Sequence, residues 1–498
     1  MLVRPLLNCS EISQKHRAEF LKRLRSKAKI LVVNRAMALG QNKKKGPLSD
    51  IEMADLMAVL GPFEGRPHIA VAVSGGADSL ALTVLCKTWV DMRGGTMSAL
   101  SVDHGLREGS GDEIERLGRW LAARGIEHVV LCWEGDKPRT GLQAAARIAR
   151  YDLLEKWCRE TGVLHLLLGH HQEDQAETFL LRLGHNSGVD GLAGMAGIIE
   201  KSHMRILRPL LTTPKVRLRA TLKAASQPWL EDPSNRNIDF ERVRIRNFLP
   251  KLVALGLTPV CISETAGRMA RVRVALEAEA SRLLATSCSV DSAGYACFDA
   301  GNLFSGQDEI SLRAIARALL CIGGAEYAPR LVKLENLYEK MKGVLQGHNA
   351  AWKGATLAGC RILPLKGRAG VMTFLMCREE RSLPEVLPVY GGMKMNWDNR
   401  FYLHLRGLKS AENKGARLQP LGRNGWAVLC REAPSIRNVS VPIPVSMTLP
   451  TLVDNEGIVA VPHLNYCRAG MSKGDVDFAR AVFHPRQTLS GSGFTVAK

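Results

Sequence analysis

His68–Ser79, read as HIAVAVSGGADS, is the stretch from which the rest of the chain can be understood. His68 to Val73 is short, apolar, rich in valine and alanine, and bounded by turn residues, as in a strand buried on both faces. Ser74-Gly75-Gly76-Ala77-Asp78-Ser79 follows, then LALTVLCKTWV, whose leucines and valines recur at helical spacing. A strand, a glycine-rich turn and a helix start leave bare backbone N–H groups around a point where an anion can sit. Gly75 and Gly76 allow the sharp bend and the close approach of a phosphate. Ser74 and Ser79 add hydroxyls, and Asp78 is placed to hold a metal ion against the phosphates. A Walker loop would close on Gly-Lys-Ser/Thr, and no lysine is present here. A dinucleotide fingerprint needs three spaced glycines, and only an adjacent pair occurs.

Outward from the loop, strands and helices alternate. MSALSVDHG (97–105), His128–Trp133 and Val163–Leu168 read as strands. Between and after them, Asp112–Arg124, Gln143–Glu160 and Glu173–Leu183 read as helices with apolar residues on one face. Strict alternation argues for an α/β domain over residues 60–240, a parallel doubly wound sheet with its ligand at the carboxyl ends of the strands. Asp103-His104-Gly105-Leu106-Arg107 and Gly169-His170-His171 should emerge at that end beside the loop. GHHQEDQAET (169–178) runs from a strand end into a helix, where Asp174 and Glu177 are three apart and can face the site together. Two acids beside phosphates call for Mg²⁺ between them. His170 and His171 read as a cap; a zinc pair lacks a third ligand at sensible spacing.

Composition narrows the partners. The chain has 498 residues and a net charge of +20, so it holds more than one domain and favours a polyanion. No apolar run approaches the roughly 20 residues that span a bilayer, which favours nucleic acid over membrane. The twelve cysteines show no close pair, neither a disulfide framework nor zinc spacing, and fit a reducing cytoplasm. Residues 1–45 carry 12 Lys/Arg against Glu11 and Glu19, half of the net charge. Residues 1–59 therefore read as a basic extension without a fixed fold.

The loop resembles the SGGxDS pyrophosphate loop of ATP pyrophosphatases, which split ATP to AMP and pyrophosphate while adenylating an oxygen. SGGADS, DHGLR, GHHQEDQAET, DGLAGM (190–195), RPLL (208–211) and WLEDPSN (229–235) occur in order over about 160 residues. Together they resemble the tRNA(Ile)-lysidine synthetases, which modify the wobble cytidine of a CAU anticodon. The resemblance implies an adenine nucleotide alpha hydrolase-like sheet, followed by a helical domain (241–345) and a small α+β, β-rich C-terminal domain (346–498). It implies ATP and Mg²⁺ as cofactors, with Ser74, Gly75, Gly76, Ala77, Asp78 and Ser79 on the nucleotide and Asp78 and Asp174 on the metal. The substrates implied are tRNA(Ile) with a CAU anticodon and free L-lysine, in a cytoplasmic enzyme, dimeric in many members and without membrane attachment. Arg107 and Arg208 would face the nucleotide or the cytidine. Asp174, Glu177 and His170 are the candidates to orient or deprotonate the lysine amine. Ala77 is read as loop filler, and Glu173, where relatives often carry aspartate, as a solvated helix acid.

Arg242, Arg244 and Arg246 follow WLEDPSN, and the resemblance puts them within reach of an anticodon loop; an exposed basic helix face is the plainer alternative. Residues 260–345 read as helices. FYLHLRG, GWAVLCR and GIVAVPHL read as strands of a domain for the acceptor stem or of a purely structural one, and 472–498 shows no pattern. The basic first 45 residues read as a tRNA-binding arm, a transit segment, or sequence upstream of a start at Met37. A tRNA thiolase is the runner-up, disfavoured because no Cys-x-x-Cys occurs. A tRNA-binding protein with an inactive loop is the other alternative.

Overall fold

The computed structural model describes residues 45–106, 109–135, 137–138, 140–231, 238–348, 351–366, 371–407, 415–470, 476–491 and 494–496. Arg107 and residues 232–235 of WLEDPSN lie outside them. The chain divides into two compact units, Met1–Ala270 with Thr495–Lys498, and Arg271–Phe494.

In the first unit the elements run α1 (Asp50–Ala58), β1 (His68–Ala72), α2 (Ala77–Asp91), β2 (Thr96–Asp103), α3 (Ser110–Ala122), β3 (Glu127–Cys132), α4 (Leu142–Thr161), β4 (His165–Leu168), α5 (Gln172–Gly184), α6 (Val189–Leu192), β5 (Ile198–Glu200), β6 (Arg205–Leu207), α7 (Lys215–Ala224) and α8 (Glu241–Ala254), and α9 (Pro259–Ser287) begins in it and continues past Ala270. The sheet order is β3-β2-β1-β4-β6-β5. β1 pairs in parallel with β2 and β4, as Val71↔Ala99 and Val71↔Leu167. β5 is the exception. It lies antiparallel on β6, because the few residues between them cannot make the crossover a parallel pair needs.

Burial follows the two-residue period of β1. Ile69, Val71 and Val73 face one core with α1, α2 and α3, while Ala70 and Ala72 face the other with Leu154 and Cys158 of α4. Small alanines on the second face let α4 pack close. The chain order reverses around β1: β2 lies to one side of it and β4 to the other. The carboxyl ends of β1 and β4 therefore flank the crevice where doubly wound sheets bind ligands.

The folded domain begins earlier than residue 60. Ser49 caps α1 and accepts the Glu52 N–H, while Glu52 returns a bond to the Ser49 N–H. Met53 and Met57 are fully buried, each contributing about 1.5–3 kcal/mol. Among the described residues no single helix is long and apolar enough to cross a membrane.

Among its described residues the second unit holds three antiparallel sheets. The stretch expected to be all helix contains a hairpin, Cys288–Asp291 with Tyr295–Asp299. GWAVLCR is helical, within Gly422–Glu432, not a strand: one face buries Leu429 and Cys430, and packing overrides its β-leaning composition. Asp477–Phe483, in the stretch without pattern, is a strand on Phe401–Arg406. FYLHLRG and GIVAVPHL contain strands, as expected.

Candidate active site

The phosphate loop is drawn tight at both ends. Gly75 has φ +80, its carbonyl accepts the Leu230 N–H at 2.8 Å, and a Cβ there would come within 2.6 Å of Leu230 Cδ1. Only glycine fits. Gly76 stands at the N-cap of α2 with no side-chain cap, so the first-turn N–H groups are open to an anion. Ser79 Oγ accepts the Ser74 N–H at 3.2 Å and donates to the Gly76 carbonyl at 3.1 Å. The two serine hydroxyls are 3.3 Å apart. Ala77 is buried in the core beneath the loop.

Asp78 and the second motif meet at His171. His171 Nε2 lies 3.4 Å from Asp78 Oδ2 and 3.6 Å from Asp174 Oδ2, and Nδ1 lies 3.0 Å from Glu173 Oε2. The ring is 3 % exposed. Burial alone would discharge it, but hydrogen bonds to Asp78 and Glu173 and the Asp174 charge outweigh that and hold its pKa up at about 10. Burial likewise opposes the Asp78 carboxylate, yet His171 and Lys215 hold it down at about 2. Lys215 Nζ donates to Asp78 Oδ2 at 2.9 Å. Asp174 also accepts the His171 N–H at 3.0 Å, closing the first turn of α5.

Glu173 is no solvated acid. It accepts the Lys215 backbone N–H at 2.9 Å and tethers α7 to this motif. His171 and Glu173 hold one another, and the pKa of Glu173 is lowered against the effect of burial.

Asp78 Oδ1 is buried and has no hydrogen-bond partner among the described residues. An orphaned carboxylate oxygen with Asp174 nearby suits a hard cation of the Mg²⁺ type. Among the described residues no three His/Cys/Asp/Glu side chains form a metal cluster.

A second group of charges lies beside the acids. Arg208, 6 % exposed, donates from Nε to His170 Nδ1 at 3.2 Å and from Nη1 to the Ala196 carbonyl at 2.8 Å. Since arginine only donates, Nδ1 accepts and a neutral His170 carries its proton on Nε2. Burial, then the charges of Arg208, Arg150, Arg242 and Arg147, push the pKa of His170 well below its usual value. Arg150 and Arg147 are absent from the sequence reading. Their three-residue spacing along α4 carries no signal that separates them from an ordinary basic helix.

Glu177, three residues beyond Asp174, has a buried carboxylate that takes Arg246 Nε at 2.8 Å and Nη2 at 3.0 Å. Asp174 and Asp78 also stabilise the charge on Arg246. Arg242 and Arg246, one turn apart on α8, both act on the site, whereas Arg244 is exposed and donates to the Asp239 carbonyl at 3.1 Å.

The PP-loop domain family matches residues 49–253. A tRNA(Ile)-lysidine synthase of Bradyrhizobium diazoefficiens is 37 % identical over 325 residues, covering 64 % of this chain and 89 % of that protein. The chain belongs to the tRNA(Ile)-lysidine synthase family. The likeness extends beyond the catalytic motifs. The synthase of Ruegeria pomeroyi is 32 % identical over 421 residues, covering 84 % of this chain and 94 % of that protein. That of Wolbachia sp. subsp. Brugia malayi is 31 % identical over 415 residues, covering 82 % of this chain and 91 % of that protein. Within this family the fold expected from the motifs stands, with β5 making the sheet mixed.

Proposed function

We propose that this chain uses ATP to join L-lysine to C2 of the wobble cytidine in the CAU anticodon of tRNA(Ile), releasing AMP and pyrophosphate. Family membership supports the reaction. The observation that carries the site is the convergence of Asp78, from the phosphate loop, and Asp174, from the second motif, on one imidazole.

The C2 oxygen of cytosine is a poor leaving group. Its attack on the α-phosphorus of ATP breaks the bond to pyrophosphate and makes the oxygen part of AMP, a good one. The lysine ε-amine then adds to C2, AMP departs with the C–O electrons, and the amine loses a proton. The N–H groups at the start of α2 bind the phosphates without rearrangement, and the Ser74 and Ser79 hydroxyls donate once they turn from their partners within the loop. Asp78 and Asp174 would hold Mg²⁺, which neutralises charge on the leaving pyrophosphate.

The amine must be neutral to attack. His171 is already protonated near neutral pH, Glu177 is held by Arg246, and His170 Nδ1 is engaged by Arg208. Asp174 is committed as well, its Oδ2 to the His171 N–H and its charge to the metal, so these groups orient the amine. His170 then serves as an Nε2–H donor, and Glu177 positions Arg246.

Residues 60–240 carry catalysis in this reading, 241–345 hold the anticodon arm through Arg242, Arg244 and Arg246, and 346–498 take the acceptor stem. Arg208 serves the nucleotide or the cytidine, and the same role is assigned to Arg107 from its motif alone. The enzyme works in the cytoplasm, off the membrane and as a homodimer. The test incubates the full chain with ATP, labelled lysine and either a CAU-anticodon tRNA or another tRNA. Label should enter the first alone, and Asp78→Ala and Asp174→Ala should each lower incorporation by at least ~100-fold while tRNA binding persists. Full activity in either variant would overturn the assignment.

A further inference from the structure

A loop that handles a triphosphate with no lysine of its own leaves open which side chain meets the charge of the outer phosphates. Lys215 stands 137 positions beyond Asp78, yet its ammonium sits on that carboxylate at 2.9 Å. It is the first residue of α7, follows a proline, and no acid occupies the first turn. A cation at a helix N-terminus opposes the helix dipole, so local stability does not account for its position.

The backbone beneath it is fixed. Glu173 accepts the Lys215 N–H at 2.9 and 3.2 Å, and Glu173 is itself held by His171. The side chain is 33 % exposed, so the ammonium remains reachable from the crevice. Asp78 already has His171 within 3.4 Å, so Lys215 is a second cation on a carboxylate that needs only one.

We propose that Lys215 is the phosphate lysine of this site: it rests on Asp78 when no nucleotide is bound and transfers to the β/γ-phosphate oxygens of ATP when it arrives. Glu173, by holding its backbone, is the positioning residue. The inference rests on the ATP-dependent reading above. On nucleotide entry a metal cation at Asp78 would repel the ammonium, while the phosphates beside it offer acceptors that compensate its lost bond.

Calorimetric binding of ATP, pyrophosphate and AMP to the full chain, without tRNA or lysine, tests this. Lys215→Met should weaken ATP and pyrophosphate about ten- to a hundredfold and leave AMP unchanged, and Lys215→Arg should recover most of the loss. Unchanged ATP affinity in Lys215→Met, or an equal loss for AMP, overturns the proposal. A wild-type chain that binds no ATP instead overturns the nucleotide reading itself. If Lys215→Met does not fold, the wild type still decides: pyrophosphate, and not AMP, should protect the Lys215 amine from acetylation read by mass spectrometry. Equal protection by both, or by neither, counts against the assignment.

Discussion

His171 has three carboxylates around it and almost no contact with water, and this sets the charge state of the whole site. Its pKa rises on folding, from the ordinary 6.5 to about 10. The stabilisation it supplies is therefore complete below pH 6.5 and disappears as pH rises through about 10. Asp78 runs the other way: lowered from 3.8 to about 2, it stabilises above pH 3.8 and loses that contribution as pH falls through about 2. His171→Gln should cost about 3–5 kcal/mol near pH 6 because it removes the cation shared by Asp78, Glu173 and Asp174 and leaves only Lys215, on Asp78. Thermal melts in chelator should show that difference shrinking steadily toward pH 10. A pH-independent difference would mean the imidazole acts through packing alone. Neither His171 nor Lys215 is legible as part of one network, since three acids, a histidine and a lysine separated by up to 137 residues carry no periodicity that links them.

Elements, by contrast, were read with success where the periodic signal was long. The strands and helices from β1 to α5 fall within a few residues of their expected limits, because period-2 and period-3.6 patterns are local and each spans several turns or pleats. The misses share a cause. Gly422–Glu432 and Asp477–Phe483 take their form from neighbours distant in sequence, and short segments follow packing over propensity. What positions the site is the packing of element ends. A Cβ on Gly169, after β4, would lie 3.0 Å from the Asp78 carbonyl carbon and oxygen and from Ser79 Cα, all backbone atoms that cannot rotate away. Gly169→Ala should push β4 from the start of α2, lower stability by about 1–3 kcal/mol and weaken ATP binding well beyond that of a surface Gly→Ala control. Denaturant unfolding and nucleotide titration check both effects, and unchanged nucleotide affinity would show that the loop tolerates the shift.

At the scale of the whole molecule the charge of +20 matters most. It predicts a tRNA complex built on phosphate contacts, so log affinity should fall with log salt at a slope of about −0.7 to −0.9 per contact. A chain starting at Met37 would lose nine of the basic residues before Lys43, together with Glu11 and Glu19, and should show a shallower slope if that arm touches tRNA. Filter-binding titrations of both chains separate the possibilities, and identical slopes would exclude the arm from the interface.

The amino-acid order alone determined the alternating sheet, the phosphate loop and the set of acids beside it, because each is a local pattern of apolar spacing, turn residues and charge. Tertiary structure alone decided which of those charges answer one another: that Glu177 is bound to Arg246, that His170 is neutral against Arg208, and that Lys215 meets Asp78. The reason is range. Backbone preferences act over a few residues, whereas an ion pair depends on distance in space, which is set only when β1, β4 and α7 have packed.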